Sequence, residues 1–200
     1  MDPYLASVLT NMTLIAFLAI SAYLVLVVGE VSFGQQAFFG IGAYLTASVT
    51  VLADGHVIWA LLTAVVGGAA GTLVLGLLTI RLSGLYFAIS TLCFAELLRF
   101  SLLHIRFTQI IDGRKLGPDG PEGFSNIRWI FDNHYDVTDF LLLSATCLTV
   151  LLLLLFGLAR SRLMLRARMV GNDPILAQSQ GLNPTRYRLG FIALSGAVAG

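Results

Sequence analysis

Long runs without a charged residue dominate the chain and predict membrane-spanning helices. A helix needs about 20 apolar residues to cross the hydrocarbon core. Five stretches approach or exceed that length, the fourth by continuing through two charges: Pro3–Gly29, Val31–Ala53, Val57–Ile80, Leu82–Ile105 and Phe140–Ala159. A sixth run begins near Leu189 and ends with the sequence at Gly200, too short to span. We expect an all-α, polytopic transmembrane helical bundle with about five full spans and a truncated sixth. The alternative for the last run is a short interfacial tail.

Composition supports a membrane protein and excludes other classes. Hydrophobic residues make up 57% of the chain, charged residues 12%, and the mean hydropathy is +0.86. A soluble protein carries about 25% charged residues, and a disordered chain has low hydrophobicity. The net charge of +1 argues against a nucleic-acid binder, which needs a basic surface. Two cysteines inside apolar runs, Cys93 and Cys147, do not make a disulfide scaffold.

The arginines are concentrated in one segment, which sets the orientation. Residues 160–188 contain six arginines and one acid, Asp173. The positive-inside rule places this segment in the cytoplasm and, counting back, the loop 106–139 and the N terminus outside. Arg166 and Arg168 would meet acidic surfaces of a partner protein or of membrane lipid. Alternatively, the arginines serve only the topology rule.

The second span has an unusual polar beginning. Gly34, Gly40 and Gly42 lie close to Ser32, Gln35 and Gln36, although glycine weakens helices and buried amides need partners. One interpretation is a broken or re-entrant helix beside a water-filled path. The other is an ordinary kinked helix whose amides bond to neighbours.

Glu96 is the deepest ionisable residue of the predicted spans. An intramembrane charge is a functional hypothesis by default, and we predict that Ser32, Gln35, Gln36 and Glu96 face a translocation pathway. The alternative is a structural pair with Arg99, one helical turn away.

Glycines four residues apart occur in two spans. Gly67 and Gly71 form one pair in the third span, and Gly196 and Gly200 form another in the sixth. We expect these pairs to serve ordinary close helix packing.

The basic segment contains a short helix with start and stop signals at both ends. Asp173-Pro174 is typical of an N-cap followed by proline at the first helical position. Gly181 is typical of a left-handed C-terminal cap. Asn183-Pro184 repeats the start signal and opens the sixth span.

We therefore predict a short, isolated helix between two membrane helices on the basic side. A helix this short is not stable alone in water. Ile175 and Leu176 would anchor it by docking on a partner, or else the helix packs on its own bundle.

The sequence contains few residues that would support an enzymatic function. The chain has no phosphate-binding loop of the G-x-x-x-x-G-K-[ST] form, and its only lysine, Lys115, lies in the predicted outer loop. The histidines are isolated, and we interpret Gly117, Gly120 and Gly123 as turn residues. We expect no catalytic site, no metal and no cofactor. A competing hypothesis is an ion-coupled secondary transporter that uses Glu96.

Four separated segments resemble the permeases of branched-chain amino acid ABC transporters of the LivM type. They are residues 29–44 (GEVSFGQQAFFGIGAY), 81–99 (RLSGLYFAISTLCFAELLR), 116–127 (LGPDGPEGFSNI) and 181–189 (GLNPTRYRL). Glu30 differs from the glutamine usual in that family, Gln35 from a common histidine, and residues 169–174 depart from the usual sequence there.

This resemblance implies a subunit of an importer in the bacterial inner membrane. Its partners would be a second permease subunit, two cytoplasmic ATP-binding subunits and a periplasmic amino-acid-binding protein. Residues 160–188 would form the coupling loop, with 174–180 as the element that moves with the ATPases. Family members are longer, so residues 1–200 would form one transmembrane domain of an N-terminal fragment.

Overall fold

A computed structural model describes most of the chain as helices. It describes residues 3–52, 57–106, 109–111, 114–118, 120, 124–125 and 137–200. The helices are α1 (Pro3–Val27), α2 (Gln35–Leu52), α3 (Val57–Thr79), α4 (Leu85–His104), α5 (Val137–Ala159), α6 (Arg162–Asn172), α7 (Pro174–Ser179) and α8 (Pro184–Ala199). The prediction of an all-α polytopic bundle is confirmed.

Four of the described helices are long and apolar enough to cross a membrane. They contain the spans Tyr4–Val27, Ile58–Thr79, Leu85–His104 and Thr138–Ala159. The helix α2 has 18 residues and α8 has 16, which correspond to about 27 Å and 24 Å at 1.5 Å per residue. The exact count of five full spans and a truncated sixth therefore stays a prediction.

Small residues allow α2, α3 and α8 to approach closely. A Cβ at Gly196 would collide with the Thr72 side chain and the Gly68 carbonyl, and one at Gly42 would collide with Gly200. A Cβ at Gly71 would lie 2.9 Å from the Ile41 side chain of α2. Both predicted glycine pairs therefore lie at helix contacts, as membrane helices without a hydrophobic driving force require.

The segment predicted to be an outer loop contains three short antiparallel strands, which the sequence analysis missed. They are β1 (Gln109–Ile111), β2 (Arg114–Pro118) and β3 (Phe124–Ser125). Gln109 pairs with Leu116 and Pro118 pairs with Phe124. The sequence between β1 and β2 is Asp112-Gly113, a hairpin signal that was available.

The prediction of an isolated helix in the basic segment is wrong, because α6 precedes α7. The Ser161 side chain caps α6 by accepting a hydrogen bond from the Met164 N–H at 3.3 Å. Met164, Ala167 and Val170 recur every three residues and are buried. They put one face of α6 against the bundle, where Met164 and Ala167 join a core cluster with residues of α1 and α8.

Candidate functional site

The predicted coupling helix has the capped ends that the sequence indicated. The Asp173 carboxylate accepts hydrogen bonds from the N–H groups of Ile175 at 2.9 Å and Leu176 at 3.0 Å. Gly181 has a φ of 77°. Its N–H donates to the Gln178 carbonyl at 2.9 Å. The Leu182 N–H donates to the Ala177 carbonyl at 3.0 Å, which completes a glycine-terminated C-cap.

The apolar side chains of α7 point in two directions. Ala177 is fully buried and holds the helix on the bundle, while Ile175 is 80% exposed and Leu176 is 54% exposed. Docking of α7 on a partner therefore stays a prediction. The helix packs on its own bundle through Ala177, and its two largest apolar side chains are left without cover in this chain.

The arginines of α6 do not all act alike. Arg168 donates a hydrogen bond to the Tyr23 hydroxyl of α1 at 3.3 Å. Arg166 is exposed. Along α6, the helix that precedes α7, Arg166 is thus an exposed positive charge, and Leu163 and Leu165 are exposed apolar side chains.

The end of α6 lies directly against the end of α1. A Cβ at Gly171 would come 2.5 Å from the Val27 carbonyl oxygen and 2.8 Å from the Gly29 nitrogen. Gly29 has a φ of 79°, a conformation that glycine adopts without steric cost. This backbone contact ties the segment that carries α7 to the turn after α1.

Gln35 is fixed inside the bundle. Its side-chain oxygen accepts hydrogen bonds from the hydroxyls of Ser21 at 2.6 Å and Ser195 at 3.1 Å, so α1, α2 and α8 meet there. The helix α2 continues without interruption from Gln35 to Leu52. This geometry agrees with an ordinary helix whose amide bonds to neighbours rather than with a broken one.

The other predicted pathway residues have different surroundings. Gln36 is exposed, and Ser32 is half-buried and accepts a hydrogen bond from the Gly34 N–H at 3.3 Å. Glu96 accepts a hydrogen bond from Arg99 at 2.9 Å. The structure does not bring the four residues to one described cluster.

The Glu96–Arg99 pair lies on an outward face of α4. The side chains are 47% and 59% exposed, respectively, and the Arg99 guanidinium lies 4.8 Å from the centre of the Phe100 ring. Glu96 is about 17 Å along α4 from Leu85, the first residue of that helix. The structural pair considered from the sequence is present.

A buried ion pair that the sequence analysis did not identify joins three distant parts of the chain. Glu30 is 2% exposed, and its Oε1 lies 3.1 Å from Nη2 of Arg188. Its Oε2 accepts a hydrogen bond from the Gly84 N–H at 2.9 Å. A signal existed, because Glu30 is the only charged residue between Asp2 and Asp54.

Comparison with known families decides the affiliation. The sequence profile of the family described as branched-chain amino acid transport system, permease component, matches residues 4–200. The chain belongs to this family. The permease is 34% identical to the high-affinity branched-chain amino acid transport system permease protein LivM of Salmonella typhimurium and 33% identical to the LivM of Escherichia coli.

Each of these alignments covers 86% of the permease and 44% of LivM, so the chain spans less than half the length of these relatives. No solved structure matches the permease at a significant level. Among its described residues, no group of three or more His, Cys, Asp or Glu side chains is placed to hold a metal ion. The apolar helices and the family together identify a multi-pass membrane protein.

Proposed function

We propose that the protein is a permease subunit of an ABC importer that moves branched-chain or related amino acids across the bacterial inner membrane. The partners are a second permease subunit, two cytoplasmic ATP-binding subunits and a periplasmic amino-acid-binding protein. The family and the names of the two relatives support this proposal. In it, the protein hydrolyses nothing, and the energy comes from the ATP-binding subunits.

The exposed apolar pair on α7 is the observation that carries the proposal. Burying an Ile or Leu side chain contributes about 1.5–3 kcal/mol. Given the exposed fractions of Ile175 and Leu176, covering both would contribute about 3 kcal/mol to docking. Since α7 is capped at both ends and seated by Ala177, it presents these side chains already ordered, which reduces the entropy cost of binding.

The basic surface beside α7 fits the same partner. Arg166 and Arg168 lie on α6, within about two helical turns of the cap residue Asp173. In this proposal they meet acidic groups at the rim of the ATP-binding subunit or anionic lipid headgroups. Closure of the ATPases on ATP then moves α7 and biases the bundle between outward- and inward-facing states.

In this proposal, the face of α4 that carries Glu96 borders the translocation pathway. A charged pair exposed to hydrocarbon is costly, so this face favours contact with water or with a second permease subunit. On the segment that opens α2, Gln36 is exposed, Ser32 is half-buried and Gln35 is buried.

Cysteine accessibility at positions 32, 35, 36 and 96 tests the pathway. We expect labelling by a polar thiol reagent to depend on the transport state. Complete protection in every state would refute this part of the proposal, and position 153 in α5, where Leu153 is 66% exposed, is the lipid-facing control.

The transport proposal is tested with the full-length protein and its partners in proteoliposomes. Replacing Ile175 and Leu176 with serine removes the docking pair. Losing about 3 kcal/mol weakens docking roughly a hundredfold, so we expect uptake per ATP hydrolysed to fall sharply. The matched control replaces Leu153 and Leu154, which are 66% and 67% exposed on α5, with serine. Unchanged coupling in the first variant would contradict the role of α7.

The same vesicles distinguish an ion-coupled secondary transporter. That mechanism needs a carboxylate that exchanges its ion, whereas Glu96 is held by Arg99 at 2.9 Å. Uptake that requires ATP and the ATP-binding subunits supports the proposal. Uptake that survives without ATP and collapses with the ion gradient would support the alternative.

A further inference from the structure

The Glu30–Arg188 pair is the most enclosed charge in the described part of the chain. The Glu30 side chain is 2% exposed and that of Arg188 is 23% exposed. Enclosing two charges costs desolvation energy that their attraction does not always repay, so such a pair is weak evidence for a stabilising role alone. Its position indicates another role.

Both ends of the segment that carries α7 lead to this pair. On one side, Gly171 contacts the backbone of Val27 and Gly29, directly before Glu30. On the other side, Asn183 caps α8 by accepting a hydrogen bond from the Arg186 N–H at 3.4 Å, and Arg188 lies in the first turns of that helix. A shift of α6 and α7 therefore reaches the two charges by two separate routes.

The second carboxylate oxygen extends the connection to α4. The Oε2 atom of Glu30 accepts a hydrogen bond from the N–H of Gly84, the residue that precedes α4. Gly84 has a φ of 60°, and an added Cβ would meet nothing within 4 Å. The Glu30 hydrogen bond thus ties the backbone that precedes α4 to the ion pair, so a movement of Glu30 would be passed to the start of the helix that carries Glu96.

The pair also retains an unused donor. Among the described residues, the Arg188 Nε is buried and has no hydrogen-bond partner. Buried polar groups are normally satisfied. The pair borders a small cavity lined also by Gly76, Phe87 and Ile192. The guanidinium therefore has one N–H that is available for a second hydrogen-bonding arrangement.

We propose that Glu30 and Arg188 are positioning residues for transport, acting as a charged joint that passes movement of α7 to the start of α4. This inference rests on the proposed function, since it assumes that a partner moves α7. The two charges act through α4 and α8 and do not touch the transported molecule. Without the attraction between the two charges, less of the movement is transmitted.

The test is the double variant Glu30→Gln/Arg188→Gln in the full-length transporter with its partners. Removing both charges leaves no uncompensated buried ion, and the glutamine oxygen can still accept the Gly84 N–H. We expect assembly close to that of the unmodified complex and uptake per ATP lowered roughly fivefold or more, within the ordinary range of coupling between sites. Arg186→Ala, an exposed arginine two residues from Arg188, is the matched control.

The outcomes separate this inference from the proposed function. An unchanged ratio of uptake to ATP hydrolysis in the assembled double variant would overturn the charged joint and leave ATP-driven transport intact. Absence of ATP-driven uptake in the unmodified complex would overturn the proposed function itself. If the double variant does not assemble, the single variant Glu30→Gln decides, because it removes the negative charge of the pair while the glutamine oxygen can still accept the Gly84 N–H. A lowered ratio then supports the joint, and an unchanged ratio overturns it.

Discussion

The close contact between Gly171 and the end of α1 predicts that a larger residue at position 171 lowers the stability of the protein. A Cβ at Gly171 would lie 2.5 Å from the Val27 carbonyl oxygen and 2.8 Å from the Gly29 nitrogen. Both are backbone atoms that cannot rotate away, so alanine must displace α6 from α1. Overpacking of this kind costs about 1–3 kcal/mol. We expect Gly171→Ala to destabilise the protein by that amount.

Gly157 provides the matched control, because it also lies in a helix but an added Cβ there would meet nothing within 4 Å. A glycine replaced by alanine in an open helical position gains about 0.8–1.0 kcal/mol of helix propensity. Gly157→Ala is therefore expected to be neutral or stabilising, and with the full gain in helix propensity the two variants should differ by about 2–4 kcal/mol.

Thermal unfolding of the purified full-length protein in detergent, followed by circular dichroism, measures this difference. We expect the midpoint to fall by several degrees for Gly171→Ala, at roughly 2–4 °C per kcal/mol for a protein of this size, and to be unchanged or higher for Gly157→Ala. Equal midpoints for the two variants would refute the close approach of α6 and α1. The route from α6 to Glu30 through the contact of Gly171 with Val27 and Gly29 would then be lost.

Two further predictions use neighbouring or conservative replacements. Gln35→Ala should destabilise the protein by about 1–3 kcal/mol, because the hydroxyls of Ser21 and Ser195 lose a shared acceptor. The exposed neighbour Gln36→Ala should change stability by less than about 0.5 kcal/mol in the same unfolding assay; equal effects would contradict the burial of Gln35. Asp173→Ala should cost about 1 kcal/mol of capping and lower uptake per ATP, and Asp173→Asn should restore both, since asparagine caps equally well. A deficit in Asp173→Asn as large as in Asp173→Ala would contradict a capping role.

Local signals in the sequence were sufficient to predict the helix α7 and its two capped ends. Aspartate before proline, glycine at the end and asparagine before the next proline each act on backbone groups within a few residues. The structure has the expected hydrogen bonds at Asp173, Gly181 and Asn183. Capping is local chemistry, so no knowledge of the tertiary structure was needed.

The helix α6 and the outer strands were missed although local signals existed. The buried positions Met164, Ala167 and Val170 have helical spacing, but arginines between them gave the segment the character of a polar loop. Asp112-Gly113 is a hairpin signal in a segment interpreted only as turns.

The buried polar contacts could not be predicted from the sequence. Glu30 and Arg188 are separated by more than 150 residues, and no periodic pattern pairs them. Gln35 and Gln36 are adjacent, yet only Gln35 enters the bundle, because one residue turns a helix by about 100°. Which glycine faces which helix, as at Gly42 and Gly200, likewise depends on how the helices are packed.

Photo-crosslinking from position 175 in the assembled transporter is the most direct test of the central claim. A photoreactive residue replacing Ile175 is expected to crosslink to an ATP-binding subunit, while one replacing Leu154, which is 67% exposed on α5, is not. Crosslinking confined to the ATP-binding subunit would support docking through α7. Absence of this crosslink in an assembled, ATP-hydrolysing complex would contradict the account.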